Sequence, residues 1–207
     1  GIANFSATTN KTYSPSVNIN ISGKKISFNN SVSFDYDRDL SQRNLFRENF
    51  PTGTPFFTDQ RSQGIERDRA FSYNGNLYYN VNPKTRIGAF FGVGRDTERE
   101  DETLNTAFLS GSGSLDSAYT RFIDSRANSW NYRAGIDLDR TFSGAEHVFN
   151  LEAYYSTRSD DDDLFFDQES EWEHLESLQN QLSRSGDVGF TIEGDYVQPF
   201  GKDSRLE

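Results

Sequence analysis

The sequence predicts an all-β chain, an antiparallel up-and-down meander of about eight long strands with short turns at one end of the sheet and long loops at the other. Three observations carry that reading. Apolar and polar residues alternate with period two, most clearly over Ile26-Ser27-Phe28-Asn29-Asn30-Ser31-Val32-Ser33-Phe34-Asp35-Tyr36, which gives a strand one oily and one wet face. The alternating segments come in pairs joined by turn sequences at Gly23-Lys24-Lys25, Asn82-Pro83-Lys84-Thr85, Ser143-Gly144-Ala145-Glu146 and Gly201-Lys202-Asp203-Ser204, and these turns recur about every 59 residues. Only 33% of the 207 residues are hydrophobic, and no apolar run reaches the roughly eighteen residues of a membrane-spanning helix. A membrane-spanning barrel stays open, because its strands need only about ten residues with apolar groups at alternate positions.

Residues 2 to 9 form the first expected strand, with Ala3, Phe5 and Ala7 on its less polar side, and Asn10-Lys11-Thr12 turns the chain. Residues 13 to 22 follow, with Val17, Ile19 and Ile21 facing away from Asn18 and Asn20; Pro15 is tolerated near a strand end. The third strand is the 26–36 segment. The fourth, residues 69 to 81, sets Phe71, Tyr73, Leu77, Tyr79 and Val81 against Ser72, Asn74, Asn76 and Asn80, and it ends at Pro83, which fixes its own φ and has no N–H for a ladder. The fifth, from Arg86 to Asp96, groups Ile87, Ala89, Phe91 and Val93 and leaves three glycines and Phe90 opposite. The sixth groups Trp130, Tyr132, Ala134, Ile136 and Leu138, and the seventh Phe149, Leu151, Ala153 and Tyr155. The eighth, residues 185 to 198, carries Val188, Phe190, Ile192 and Tyr196 on one face.

The remainder of this single region, residues 1–207, reads as three long loops at 40–68, 97–127 and 157–184. The first holds Pro51, Gly53, Pro55 and Gly64 amid mixed charge without a period. In the second, Leu115, Ala118, Tyr119, Phe122 and Ile123 fall at i, i+3, i+4, i+7 and i+8, the spacing of one face of an amphipathic helix. The third opens on Asp160, Asp161, Asp162 and Asp163, then offers Ser170-Glu171-Trp172-Glu173 as a helix capping box before Leu175, Leu178 and Leu182 at helical spacing.

Composition narrows the function classes. A net charge of -11 argues against nucleic acid as a partner, since phosphate binding needs clustered Lys and Arg. With no cysteine there is neither a disulfide framework nor a thiolate metal site. The only histidines are His147 and His174. No serine sits in a G-x-S-x-G elbow, and Gly111-Ser112-Gly113-Ser114 continues with Asp116 where a dinucleotide fingerprint needs glycine. The acidic run with Asp167, Glu169 and Glu171 departs from a calcium loop, because Phe165 and Phe166 stand where a ligand and a glycine belong. We therefore expect no enzyme, no cofactor and no metal. Sequons at Asn4, Asn10, Asn20 and Asn29 are expected by chance in a chain this rich in Asn, Ser and Thr. Aromatic loop segments are the one binding candidate: Phe56 and Phe57 near one loop, and Phe165 and Phe166 in another, are read as possible ligand contacts or as loop-to-loop packing.

The alternation of short turns with long loops matches transmembrane β-barrels, whose periplasmic turns are short and whose outer loops are long. Three stretches add a resemblance. Thr8-Thr9-Asn10-Lys11-Thr12-Tyr13-Ser14-Pro15-Ser16-Val17-Asn18-Ile19-Asn20 resembles the start of the barrel in TonB-dependent outer-membrane receptors, where a strand turns at a Thr-Asn pair and resumes through a Tyr-Asn-Pro-like step. Leu77-Tyr78-Tyr79-Asn80-Val81-Asn82-Pro83-Lys84-Thr85 and Asp195 through Glu207 are similar to periplasmic hairpins of that family. The resemblance implies a longer parent with an N-terminal plug, a segment that contacts an energy-coupling protein, and about twenty-two strands, of which this chain holds roughly the first eight. It implies residence in the outer membrane of a Gram-negative bacterium and import of a chelate, glycan or peptide.

On that reading Phe28, Val32, Phe34, Leu77, Tyr79, Ile87, Phe91, Ile136, Leu138, Leu151 and Ile192 meet lipid, and Asn29, Asn76, Arg133, Asp137, Glu152 and Glu193 line the lumen. The alternative is a secreted or surface-attached soluble β-sandwich that binds a ligand, in which the same apolar faces pack against a second sheet. The two share one set of strands. They differ in whether the apolar faces meet each other.

Overall fold

The computed structural model describes residues 2–4, 12–50, 56–142, 147–172, 175–200 and 204–206. Period-two patterning produces the expected architecture: β1 (Ile2–Asn4), β2 (Ser16–Ser22), β3 (Ile26–Asn49), β4 (Phe56–Asn82), β5 (Thr85–Leu109), β6 (Leu115–Thr141), β7 (Val148–Glu169), β8 (Ser177–Phe200) and β9 (Ser204–Leu206). They form one sheet in sequence order, β1 through β9, and every pairing is antiparallel. The described residues contain no α-helix and no second sheet.

The strands are much longer than the apolar alternation alone marks out. Strands β3 to β8 run for 24, 27, 25, 27, 22 and 24 residues. The β3–β4 ladder is continuous from Ile26 opposite Tyr79 to Asn49 opposite Phe56. The expected loops at 40–68, 97–127 and 157–184 are therefore corrected: apart from residues 51–55, 173 and 174, which lie outside the described set, most of each is strand, and the stretches between strands shrink to 110–114 from β5 to β6 and 170–176 from β7 to β8. These stretches carry polar or charged residues on both faces, so they lack the one-sided apolar signal while their backbones still pair fully.

The two helices expected from spacing are also strand. Leu115, Ala118, Tyr119, Phe122 and Ile123 lie in β6, and Leu178 and Leu182 lie in β8. Ser170 takes part in a turn: its hydroxyl donates to the Ala118 carbonyl at 2.6 Å and accepts from the Trp172 N–H at 3.1 Å, and the Leu175 N–H donates to the Trp172 carbonyl at 2.8 Å. Glu173 of the expected capping box lies outside the described residues.

The two near-end turns within the described residues fall where expected. The Gly23 N–H donates to the Ile26 carbonyl at 2.8 Å, and the Asn82 side chain accepts from the Lys84 N–H at 2.8 Å, an Asx turn ahead of β5. Residues 143–146 and 201–203 lie outside the described set. At the far end Ser110 to Ser114 close β5 to β6, with Gly113 at φ 84°, a left-handed conformation that glycine adopts without steric cost.

No hydrophobic residue is buried among the described residues. The sheet thus has no core of its own, and its stability inside the chain rests on ladders and cross-strand pairs.

Candidate functional site

Register sorts the side chains into two faces, and each face divides into two zones along the strands. On one face of the near half, directly opposed residues form apolar rows: Ile26, Tyr79, Ile87, Leu138 and Leu151 in one, and Phe28, Leu77, Ala89, Ile136, Ala153 and Ile192 in the next. Val32, Tyr73, Val93 and Tyr132 share a further row. These rows are solvent-exposed in the isolated chain: Ile136 by 62%, Val188 by 73%, Phe190 by 69% and Ile192 by 62%. An apolar surface this extensive and this uncovered marks a contact with lipid or another protein. Within the band the Asn30 side chain accepts from the Tyr73 hydroxyl at 2.6 Å. Aromatic residues gather at the band's two edges, with Trp130, Tyr132 and Tyr36 toward the far end and Tyr79 and Tyr196 toward the near end.

The opposite face of the near half is polar and tightly interlocked. Arg133 pairs with Glu152 at 2.8 Å and lies over the rings of Phe90 and Tyr154, 5.0 and 4.1 Å from their centroids. Arg86 pairs with Asp139 and covers Tyr78 at 4.7 Å. Gly88 and Gly135 make room for this layer. Asp137 lies over Gly88, and a Cβ at Gly135 would meet the Phe90 ring at 2.5 Å and the Ala153 carbonyl oxygen at 2.6 Å. Glycine is required where neighbouring groups approach this closely.

Beyond the apolar band the far half separates charge by sign. On the polar-face side, Asp39, Glu66, Glu100 and Ser125 form one row, Asp37, Asp68, Glu98, Ala127 and Asp162 the next, and Asp35, Ala70, Asp96, Ser129 and Asp160 the third. Carboxylate oxygens of Glu66, Asp68 and Glu98 all lie within 4.8 Å of one another, close enough to share one cation. Desolvation, followed by repulsion from neighbouring carboxylates, holds Glu66, Asp68 and Glu100 above the ordinary carboxylate range.

On the apolar-face side a row of arginines stands among Asp101, Asp124, Asp161 and Asp163. Arg38, Arg67, Arg99 and Arg126 stand directly opposite one another across β3 to β6. Arg67 reaches Asp101 at 2.5 Å, Arg99 reaches Asp101 at 3.2 Å and Asp124 at 2.9 Å, and Arg126 reaches Asp124 at 2.7 Å. The hydrogen bond from Arg126, with help from Arg99, pulls Asp124 below its usual value.

The aromatic ligand candidates are strand residues, not loop residues, which corrects their expected setting. Phe56 and Phe57 open β4 on opposite faces, and Phe57 stacks on Phe46 with centroids 5.4 Å apart. Phe165 and Phe166 lie in β7, also on opposite faces; the Arg121 guanidinium sits 5.0 Å from the Phe166 ring. Phe57 pairs with Leu109 of β5 and Phe165 with Asp124 of β6, so the structure does not bring the two pairs together. The acidic run also divides: Asp160 and Asp162 share a face, and Asp161 and Asp163 share the other.

No protein-family model matches the chain, and no curated protein matches it significantly.

Proposed function

We propose that these residues form a stretch of the wall of an outer-membrane β-barrel of the TonB-dependent receptor kind, non-catalytic, in a parent protein that imports a nutrient such as a chelate, a glycan or a peptide. The observation that carries the proposal is the apolar band, which occupies one face and one end of the long strands and is covered by nothing among the described residues. Ile26 to Phe34 and Phe71 to Val81 delimit it on β3 and β4. At about 3.4 Å per residue and a strand tilt near 40°, such runs span roughly 21 to 26 Å of height, the thickness of the lipid-facing band of outer-membrane barrels. The edge aromatics sit where such barrels carry their girdles. A single sheet in sequence order supports this reading over a soluble sandwich, in which a second sheet covers the apolar face.

Under this proposal the near-end turns face the periplasm and the far halves of β3 to β8 stand outside the bilayer. The polar face becomes the lumen wall, with the Arg133–Glu152 pair at membrane depth. The acidic rows above it give the mouth a negative field, which concentrates cations and repels anions. A plug and an energy-coupling protein complete the transporter.

Because the chain has no cysteine, single thiols report sidedness. In cells producing the protein, Ser112→Cys is expected to react with a membrane-impermeant maleimide added outside, and Lys24→Cys to react only after the outer membrane is opened. Equal labelling of both from outside, or recovery of the protein in the soluble fraction, overturns the proposal.

A further inference from the structure

We infer that the arginines just beyond the apolar band bind the phosphate groups of lipid headgroups in the outer leaflet, an inference that rests on the barrel reading above. Arg38, Arg67, Arg99 and Arg126 occupy one row on the same face as the band, four strands wide, with Arg69 one row nearer to it and Arg95 in the row of Phe34 and Phe71 that ends it. Like charges directly opposite one another destabilise a sheet unless something neutralises them. Three aspartates do so in part: Asp101 and Asp124 are shared among Arg67, Arg99 and Arg126, and Asp163 of β7 stands directly opposite Arg126.

Arg38, Arg69 and Arg95 have no carboxylate within ion-pair distance among the described residues. Arg38 Nε is shielded from water and has no hydrogen-bond partner. Arg69 and Arg95 are held over aromatic rings, 5.9 Å from the Tyr36 centroid and 4.9 Å from that of Trp130. Arg67, Arg69, Arg95, Arg99 and Arg126 line one groove of about 790 Å³ whose floor includes Phe34 and Phe71 and whose acid on this face is Asp101.

The position selects the anion. Arg38 lies four residues beyond Phe34 and Arg95 two beyond Val93, which is about 7 to 14 Å along a strand. That is headgroup depth for a band-facing side chain. Guanidinium forks bind phosphate in two parallel hydrogen bonds, and the apolar floor accepts the first acyl carbons. The lumen lies on the other side of the sheet, so cargo does not reach this groove.

The test uses the purified protein in maltoside micelles, with lipid adducts counted by native mass spectrometry. Phosphatidic acid, a phosphate monoester, is expected to bind at least 10-fold more tightly than phosphatidylcholine, with a preference that shrinks as sodium chloride rises. Arg38→Gln/Arg69→Gln/Arg95→Gln should abolish the preference. Arg43→Gln/Arg47→Gln/Arg121→Gln, which removes the same charge from the opposite face, should keep it. Equal affinity of the unmodified protein for the two lipids, or equal loss in both triple variants, overturns the inference and leaves the barrel intact. Full displacement of phosphatidic acid by an equal concentration of inorganic phosphate assigns the groove to free phosphate and overturns it too. Failure of the protein to enter phosphatidylcholine vesicles overturns the barrel reading itself.

Discussion

Ala134 and Ala118 lie on the same strand and the same face of the sheet, sixteen residues apart, and replacing each with arginine measures where lipid begins. Ala134 sits between Phe91 and Tyr155, at the centre of the apolar run from Trp130 to Leu138. Four residues separate it from either edge, about 14 Å along the strand and about 10 Å of bilayer depth at a 40° tilt. An arginine there has no acid in its row and a long way to reach either interface. Ala118→Arg stands in the far half, beside Ala107, in water. Ala134→Arg is expected to cost about 2–4 kcal/mol, a factor of roughly 30 to 900 in the folding equilibrium, and Ala118→Arg under about 0.5 kcal/mol. Reversible unfolding from phosphatidylcholine vesicles in guanidinium gives both values. Equal small costs at the two sites would refute the placement of lipid on this face. So would an unmodified protein that unfolds cooperatively as a monomer in detergent-free buffer.

Three further outcomes follow from the geometry. Gly135→Ala should destabilise the folded state by about 1–3 kcal/mol in the same assay, because the added methyl meets the Ala153 backbone oxygen and the Phe90 ring; a neutral result would mean the polar layer is loose. Glu66, Asp68 and Glu100 titrate above their unfolded values, so the folded state holds extra protons and stability falls as pH rises through the raised values. Lowering pH from neutrality toward the ordinary carboxylate range should therefore raise hydrogen-exchange protection factors, taken relative to the intrinsic exchange rate at each pH, in the far halves of β3 to β5, and Glu66→Gln/Asp68→Asn should flatten that response. Asp124 has the opposite sign: its contribution is present above the ordinary carboxylate range and is lost on strong acidification. In a Trp172→Phe variant, the fluorescence of Trp130 should be quenched more by lipids brominated near the headgroup than by lipids brominated deep in the chain; the reverse order would move the band edge.

The part of the fold that was legible in the sequence is the part with one apolar face. Near-end turns announce themselves through Pro83 and the glycines, and Phe28, Leu77, Ile87 and Ile136 alternate with polar residues because one side of the sheet is oily. The far halves were illegible to that criterion because both of their faces are wet. A different signal was present: from Arg95 to Glu102 the odd positions read Arg, Thr, Arg, Asp and the even ones Asp, Glu, Glu, Glu, an alternation in charge. The helix expected at Leu115, Tyr119 and Ile123 failed because steps of four are also even steps, which keep residues such as Tyr119 and Ile123 on one face of a strand. The arginine row was invisible for another reason. Its members are scattered from position 38 to position 126, and only the register of three ladders aligns them.

The separation of charge between the two sides of β5 also works as a lock on alignment during assembly. If β5 slid by one residue against β4 and β6, every side chain would change sides. Glu98, Glu100 and Glu102 would join Arg67 and Arg126 on the oily side, while Arg95 and Arg99 would face Asp68, Glu66 and Asp96's former neighbours. The glutamates would find cations, so the far half alone would tolerate the mistake. The near half would not, since the same slide carries Ile87, Phe91 and Val93 into the packed polar layer and leaves the oily side of β5 with Arg86, Phe90 and glycines. Two zones with opposite tolerance, joined in one unbroken ladder, leave a single alignment that satisfies both.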